Sequence, residues 1–226
     1  MAQDPLPPIR DAASVILVRD PDTAPAVLMG QRGAKAAFMP SKFVFPGGAV
    51  DAGDAGISLA APLDDRCSAR LSAEVAGNST AAQLAVAAIR ELWEETGLRL
   101  GAKGLWSDPA PDGWQSFAAS GLQPTAAAMH FVFRAITPPG RPRRFDARFF
   151  LMDATAIHDD LDDFSAASDE LSHLHWVPLG EIGNLDLPFI TEVVLAEVKR
   201  ILPRIGTPDR VPFFDNTLEF GQVRYL

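Results

Sequence analysis

Arg90-Glu91-Leu92-Trp93-Glu94-Glu95-Thr96-Gly97-Leu98 places three carboxylates on a segment that stops at a glycine. At roughly 100° per residue, Glu91, Glu94 and Glu95 fall at i, i+3 and i+4 of a helix and share one face, while Ile89, Leu92 and Trp93 turn to another. Like charges at these spacings cost about a few tenths of a kcal/mol per pair, so a hard divalent cation that neutralises them is the economical reading. A solvated acidic face is the competing one. Upstream, Phe43-Val44-Phe45-Pro46-Gly47-Gly48-Ala49-Val50-Asp51 reads as an apolar strand ending at a proline and two glycines, which can bring backbone close to a ligand.

The elements around this helix follow from caps and periodicity. Ser79 or Thr80 can cap its start, residues 81–95 are rich in helix formers, and Gly97 supplies the left-handed residue that ends it. Residues 12–19 form a β-branched run suited to a buried strand; a turn at Asp20-Pro21-Asp22 and a strand over 26–29 complete a hairpin, and 42–45 continue the sheet. From 52 to about 78 the residues are small or polar, with a helix predicted over 64–76 because Cys67, Leu71 and Val75 recur at helical spacing. Residues 130–136 and 146–152, joined across Pro138-Pro139-Gly140, predict an antiparallel pair, and 175–178 a further strand. Ile190, Val193, Val194, Val198 and Ile201 predict a packing helix over 188–202. Strands interleaved with two main helices, without an internal repeat or low-complexity linker, read as one α+β domain over 1–226.

Composition narrows the function classes. A chain of 226 residues with 47% hydrophobic content suits one full core, and no run reaches the apolar length of a membrane span. Residues 1–10 hold three prolines and lack the order of a secretory signal; the sole cysteine, Cys67, excludes an internal disulfide, and the expected location is cytoplasmic, with no membrane partner. A net charge of −9 argues against nucleic acid as a partner, because binding it depends on positive surface. Arg141, Arg143, Arg144 and Arg148 form a basic cluster within this acidic chain, suited to phosphate through the guanidinium fork; the alternative is pairing with Asp146, Asp159 and Asp160. Arg32 has the same two readings. His130, His158, His173 and His175 form no zinc pattern, and Cys67 has no partner base.

The acidic helix and the glycine pair together resemble the signature of the Nudix hydrolase family, Gly-x5-Glu-x7-Arg-Glu-U-x-Glu-Glu-x-Gly-U with U aliphatic. Arg90, Glu91, Leu92, Glu94, Glu95, Gly97 and Leu98 match its second half at every specified position. The first half departs. Arg90 lies 42 positions beyond Gly48 where the pattern requires 14, so 28 residues are inserted, at about 52–79. Counting back from Arg90, the pattern's first glutamate falls on Ala82, while Asp54 fits the spacing counted forward from Gly48. An insertion at this point, together with Gln31-Arg32-Gly33 and Thr137-Pro138-Pro139 ahead of Arg144-Phe145-Asp146-Ala147-Arg148-Phe149-Phe150, resembles a branch of the family similar to the peroxisomal coenzyme A diphosphatases of animals.

The resemblance implies an α/β/α sandwich with a mixed sheet and hydrolysis of a diphosphate bond in a nucleoside diphosphate linked to another group, with coenzyme A or an acyl-coenzyme A favoured. It implies Mg²⁺ or Mn²⁺ held by Glu94 and Glu95 with the Gly48 carbonyl, Glu91 as metal ligand or base, and Arg90 orienting a glutamate. Glu170 would be a distant carboxylate completing the site, Arg32, Arg144 and Arg148 would contact substrate, and two copies would pair as a homodimer. The rival reading is a catalytically silent nucleotide sensor of the same fold, favoured by Ala82 and the interruption.

Overall fold

Strand β1 (Ile9–Arg19) is the spine of the molecule because both of its faces are apolar. Ala13, Val15 and Leu17 enter one core and Ile16 and Val18 the other, as the two-residue period of a strand requires. The turn at 20–22 returns the chain into β2 (Ala26–Arg32), which pairs antiparallel with β1 through Val18 and Val27, completing the expected hairpin. β3 (Phe43–Val44) borders β2, while β4 (Gly47–Ala49) pairs with the first half of β1 and sets Gly48 opposite Ala13. The computed structural model describes residues 7–73, 78–106, 108–217 and 221–226.

Helix α1 (Asp65–Ala73) lies within residues 52–79; Val75 and Ala76, placed in the same helix by periodicity, fall outside the described residues. Helix α2 (Ala81–Thr96) carries the acidic face. Its start is a reciprocal cap in which the Thr80 hydroxyl accepts from Gln83 N–H at 3.2 Å and the Gln83 side chain accepts from Thr80 N–H at 2.7 Å. It ends where Gly97, at φ 79°, donates to Trp93 O at 2.8 Å. Beyond it, β5 (Gly101–Lys103), α3 (Gln115–Ala119) and β6 (Leu122–Pro124) make a small side structure.

β7 (His130–Ile136) and β8 (Arg144–Asp153) form the expected antiparallel pair, and β8 also runs parallel to β1 from Ile9 opposite Arg144 to Val18 opposite Asp153. β9 (Leu171–Pro178) lies against β2, and α4 (Phe189–Ile201) follows. β10 (Pro212–Asp215), parallel to β7, and β11 (Gln222–Tyr225) extend the sheet to the order β11-β10-β7-β8-β1-β2-β3. Leu84, Ala88 and Leu92 of α2 pack on one face of this mixed sheet with Cys67 and Leu71 of α1; Val194, Leu195 and Val198 of α4 cover the other. The result is the expected α/β/α sandwich. Among the described residues no helix is long and apolar enough to cross a membrane.

The described part of residues 52–79 is tied to this body. Ala60 N–H donates to Pro124 O at 2.8 Å, and Ala126 N–H to Ala61 O at 2.9 Å. Arg70 donates to the carbonyls of Pro208 and Asp209, and the Thr207 hydroxyl, which donates to Asp64, lies 3.1 Å from His130 Nδ1.

Candidate active site

Packing of Leu84, Ala88 and Leu92 against the sheet turns the C-terminal half of α2 so that its carboxylates meet β4. Glu95 is 2% exposed, and its Oε2 accepts Gly47 N–H at 2.8 Å. Glu91 lies directly over Gly48, where a Cβ would stand 2.3 Å from Glu91 Oε1 and push that carboxylate from its place. The glycine bend and the acidic helix, 48 positions apart across the Gly47–Glu95 bond, therefore converge.

Arg90 ties the arrangement together. Its Nε donates to Asp54 Oδ1 at 2.9 Å and its Nη2 to Asp54 Oδ2 at 3.2 Å and to Ala49 O at 3.0 Å. Its Nη1 reaches Glu91 Oε1 at 2.8 Å and Glu94 Oε2 at 3.1 Å. Burial opposes the guanidinium charge, but the hydrogen bonds and charges of Asp54 and Glu91 raise its pKa above the usual arginine value. Burial pushes the Glu91 carboxyl up to about 6 against the pull of Arg90, with Glu94 and Glu170 adding repulsion. Burial pushes Glu95 up to about 8; the Gly47 N–H and Arg32 lower it, while Glu91 and Glu170 raise it.

Two flanking residues reach the same place. Ser168 N–H donates to Glu94 O at 2.8 Å, which anchors the loop carrying Glu170, whose charge acts on both Glu91 and Glu95. Arg32, at the end of β2, acts on Glu95, and its buried Nε has no hydrogen-bond partner among the described residues.

The structure corrects the basic cluster. Arg148 is 2% exposed and donates to Asp11 Oδ1 at 2.5 Å and to Asp146 O at 2.7 Å, with its Nη2 3.2 Å from Asp146 Oδ2. Arg144 is 4% exposed and is spent on the carbonyls of Thr137 at 3.0 Å and Asn216 at 2.8 Å. Neither guanidinium is presented to a substrate, because residues alternating along β8 share one buried face of the strand. Arg134, opposite Arg148, also forks onto Asp146 at 2.9 and 2.7 Å, so one carboxylate bridges two guanidiniums. Ala82 is exposed in the first turn of α2, so a glutamate there would face solvent. Gly47, read from sequence only as half of the glycine pair, is a donor to Glu95, and Asp54, read only as fitting the signature spacing from Gly48, joins the site as the partner of Arg90.

Among the described residues no three His, Cys, Asp or Glu side chains are drawn together tightly enough to hold an ion as they stand. The donor set nevertheless fits a hard divalent cation: its members are carboxylates, two of them held above their ordinary pKa by burial and mutual repulsion that a cation would relieve.

Known proteins resemble this chain. The chain is 34% identical over 181 residues to nudix hydrolase 7 of Caenorhabditis elegans, a match covering 74% of this chain and 51% of that protein, so the chain spans about half the length of this curated relative. The crystal structure of a NUDIX hydrolase from Alicyclobacillus acidocaldarius is similar at a TM-score of 0.66 and 26% identity, covering 90% of this chain and 100% of that one. No protein-family model matches the chain. The sandwich, with a glycine bend set against an acidic helix, defines a Nudix-type protein. The chain belongs to the Nudix hydrolase family.

Proposed function

We propose that this chain is a divalent-cation-dependent hydrolase of diphosphate bonds in nucleoside diphosphates linked to another group, with coenzyme A or an acyl-coenzyme A as the favoured substrate. The observation that carries the reading is the contact of Gly47 and Gly48 with Glu95 and Glu91. In it, Glu94, Glu95, Glu91 and the Gly48 carbonyl would hold Mg²⁺ or Mn²⁺, with Glu170 nearby. When bound, the cation neutralises phosphoryl oxygens and acidifies a water.

The chain's own groups set the geometry. Arg90 orients Glu91 and Glu94 by charge-assisted hydrogen bonds, Glu95 is fixed by Gly47 N–H, and Glu91 serves as ligand or base. Arg32, whose charge acts on Glu95, would offer its guanidinium to a diphosphate oxygen. The preference for coenzyme A rests on the flanking motifs and the position of the insertion. The same reading takes residues 1–226 as one domain interrupted at about 52–79, acting in the cytoplasm as a homodimer.

The test incubates purified protein with a panel of diphosphates, coenzyme A included, and Mg²⁺ or Mn²⁺. Two phosphate-bearing products are expected, with turnover falling at least about 100-fold in Glu94→Gln and Glu95→Gln. Tight binding of a nucleotide without any turnover would favour the sensor instead.

A further inference from the structure

We propose that Asp54 is the positioning residue that fixes Arg90, and through it Glu91 and Glu94, in place of the glutamate that the family signature seats on the helix side at Ala82. The proposal rests on the hydrolase reading above. Asp54 follows Gly48 at the spacing of the signature glutamate, and its bond to Arg90 spans 36 positions. The uninterrupted pattern has eight there, so 28 extra positions separate the two partners. The chain leaves the site after Asp54 and returns to it along α2.

Geometry gives the carboxylate its role. Its side chain is 1% exposed and grips the Nε and Nη2 edge of Arg90, so the opposite Nη1 is aimed at Glu91 and Glu94. With Ala49 O as the fifth acceptor, every N–H of the guanidinium is used and its plane is fixed. Asp54 is itself held by a tight turn over Ala52–Gly56, its Oδ2 accepting Asp51 N–H at 2.8 Å and its N–H donating to Asp51 O at 3.1 Å. Ile57 and Leu63, both buried, seat the chain just beyond the turn.

A negative charge is needed at this point and not merely an acceptor. A divalent cation settling on Glu91 and Glu94 repels the guanidinium bonded to the same carboxylates. A buried carboxylate on the far side of Arg90 offsets that repulsion, which a neutral amide cannot do. Asp54 acts only through Arg90 and touches neither cation nor phosphate.

The test uses the full chain with Asp54→Asn, Asp54→Glu and Ala82→Glu, measuring kcat and KM on a diphosphate that the wild type cleaves. The Arg90 Nε–H resonance, assigned through Arg90→Lys, is followed with and without Mg²⁺. Asp54→Asn should fold by circular dichroism, lose about 100-fold in kcat with KM within about threefold, and lose the downfield Nε–H signal. Asp54→Glu should recover to within about tenfold of wild type, whereas Ala82→Glu, its carboxylate facing solvent, should not restore activity to the Asp54→Asn variant. A folded Asp54→Asn with kcat within about threefold of wild type and an unmoved resonance overturns the proposal. If Asp54→Asn does not fold, Asp54→Glu decides: activity within about tenfold supports positioning, and a loss beyond about 100-fold refutes it. A wild type that cleaves no diphosphate sinks the hydrolase reading alone and leaves the resonance to judge Asp54.

Discussion

Glu95 and Asp146 are both buried carboxylates, yet their partners give them different roles. Asp146 is enclosed by Arg134 and Arg148, whereas Glu95 has a single backbone donor and a repelling neighbour. Burial, with repulsion between the two carboxylates' charges and their neighbours, holds Glu95 up to about 8 and Glu91 to about 6, against an ordinary value of 4.5. Because the folded value is raised, the stability gained by protonating Glu95 is fully present below 4.5 and is lost as the pH climbs to about 8. A cation held there as proposed would replace that proton. The rise in Tm produced by Mg²⁺ should then grow from about pH 5 to about pH 8, and a shift of equal size across that range would contradict the account. The arginines divide in the same way. Arg148→Ala strips Asp11 of its guanidinium and leaves Asp146 with Arg134 alone, and should destabilise by about 3–5 kcal/mol in denaturant titration, while Arg32→Ala should raise KM with little loss of stability.

The elements show how local pattern and distant partners contribute differently. The caps of α2, the hairpin of β1 and β2, and α4 were legible because their signals lie within a few residues of one another. The α1 helix was legible from Cys67 and Leu71, but its lacing to the body was not, since Thr207 lies 140 positions from Cys67. That hydroxyl joins three elements, contacting Asp64, Cys67 Sγ at 3.5 Å and His130 Nδ1 at 3.1 Å. Burial opposes the Asp64 charge, yet Thr207 and the N–H of Cys67 hold its carboxyl down to about 2. Thr207→Val should therefore cost about 1 kcal/mol and speed amide exchange in α1. Turnover should be unchanged, because Thr207 and α1 make none of the bonds described for the candidate site; a large loss of kcat would mean that α1 shapes the substrate cleft.

For the molecule as a whole, the legible part was the pairing of a glycine bend with an acidic helix, since the signature encodes both. The charge ladder of Arg144, Asp146 and Arg148 was misread because a cluster in sequence says nothing of depth, although its alternation along a strand pointed to one shared face. β10 escaped notice because its run opens with Pro212, which weakens a strand reading, and only its parallel pairing to β7 makes it one. The finished sheet separates two cores, and that division can be tested. Trp114 and Trp176 lie in the core beneath α2, with Trp93 and Trp106 packed against it, so all 4 tryptophans report on one face. Leu195, 2% exposed, sits in the opposite core under α4. Leu195→Ala should cost about 2–5 kcal/mol through the cavity it leaves. Because β1 lends side chains to both cores, neither should survive without the other. Tryptophan fluorescence and far-ultraviolet circular dichroism should then show the same lowered Tm in this variant. A fluorescence midpoint left at the wild-type temperature would mean that the two faces unfold independently.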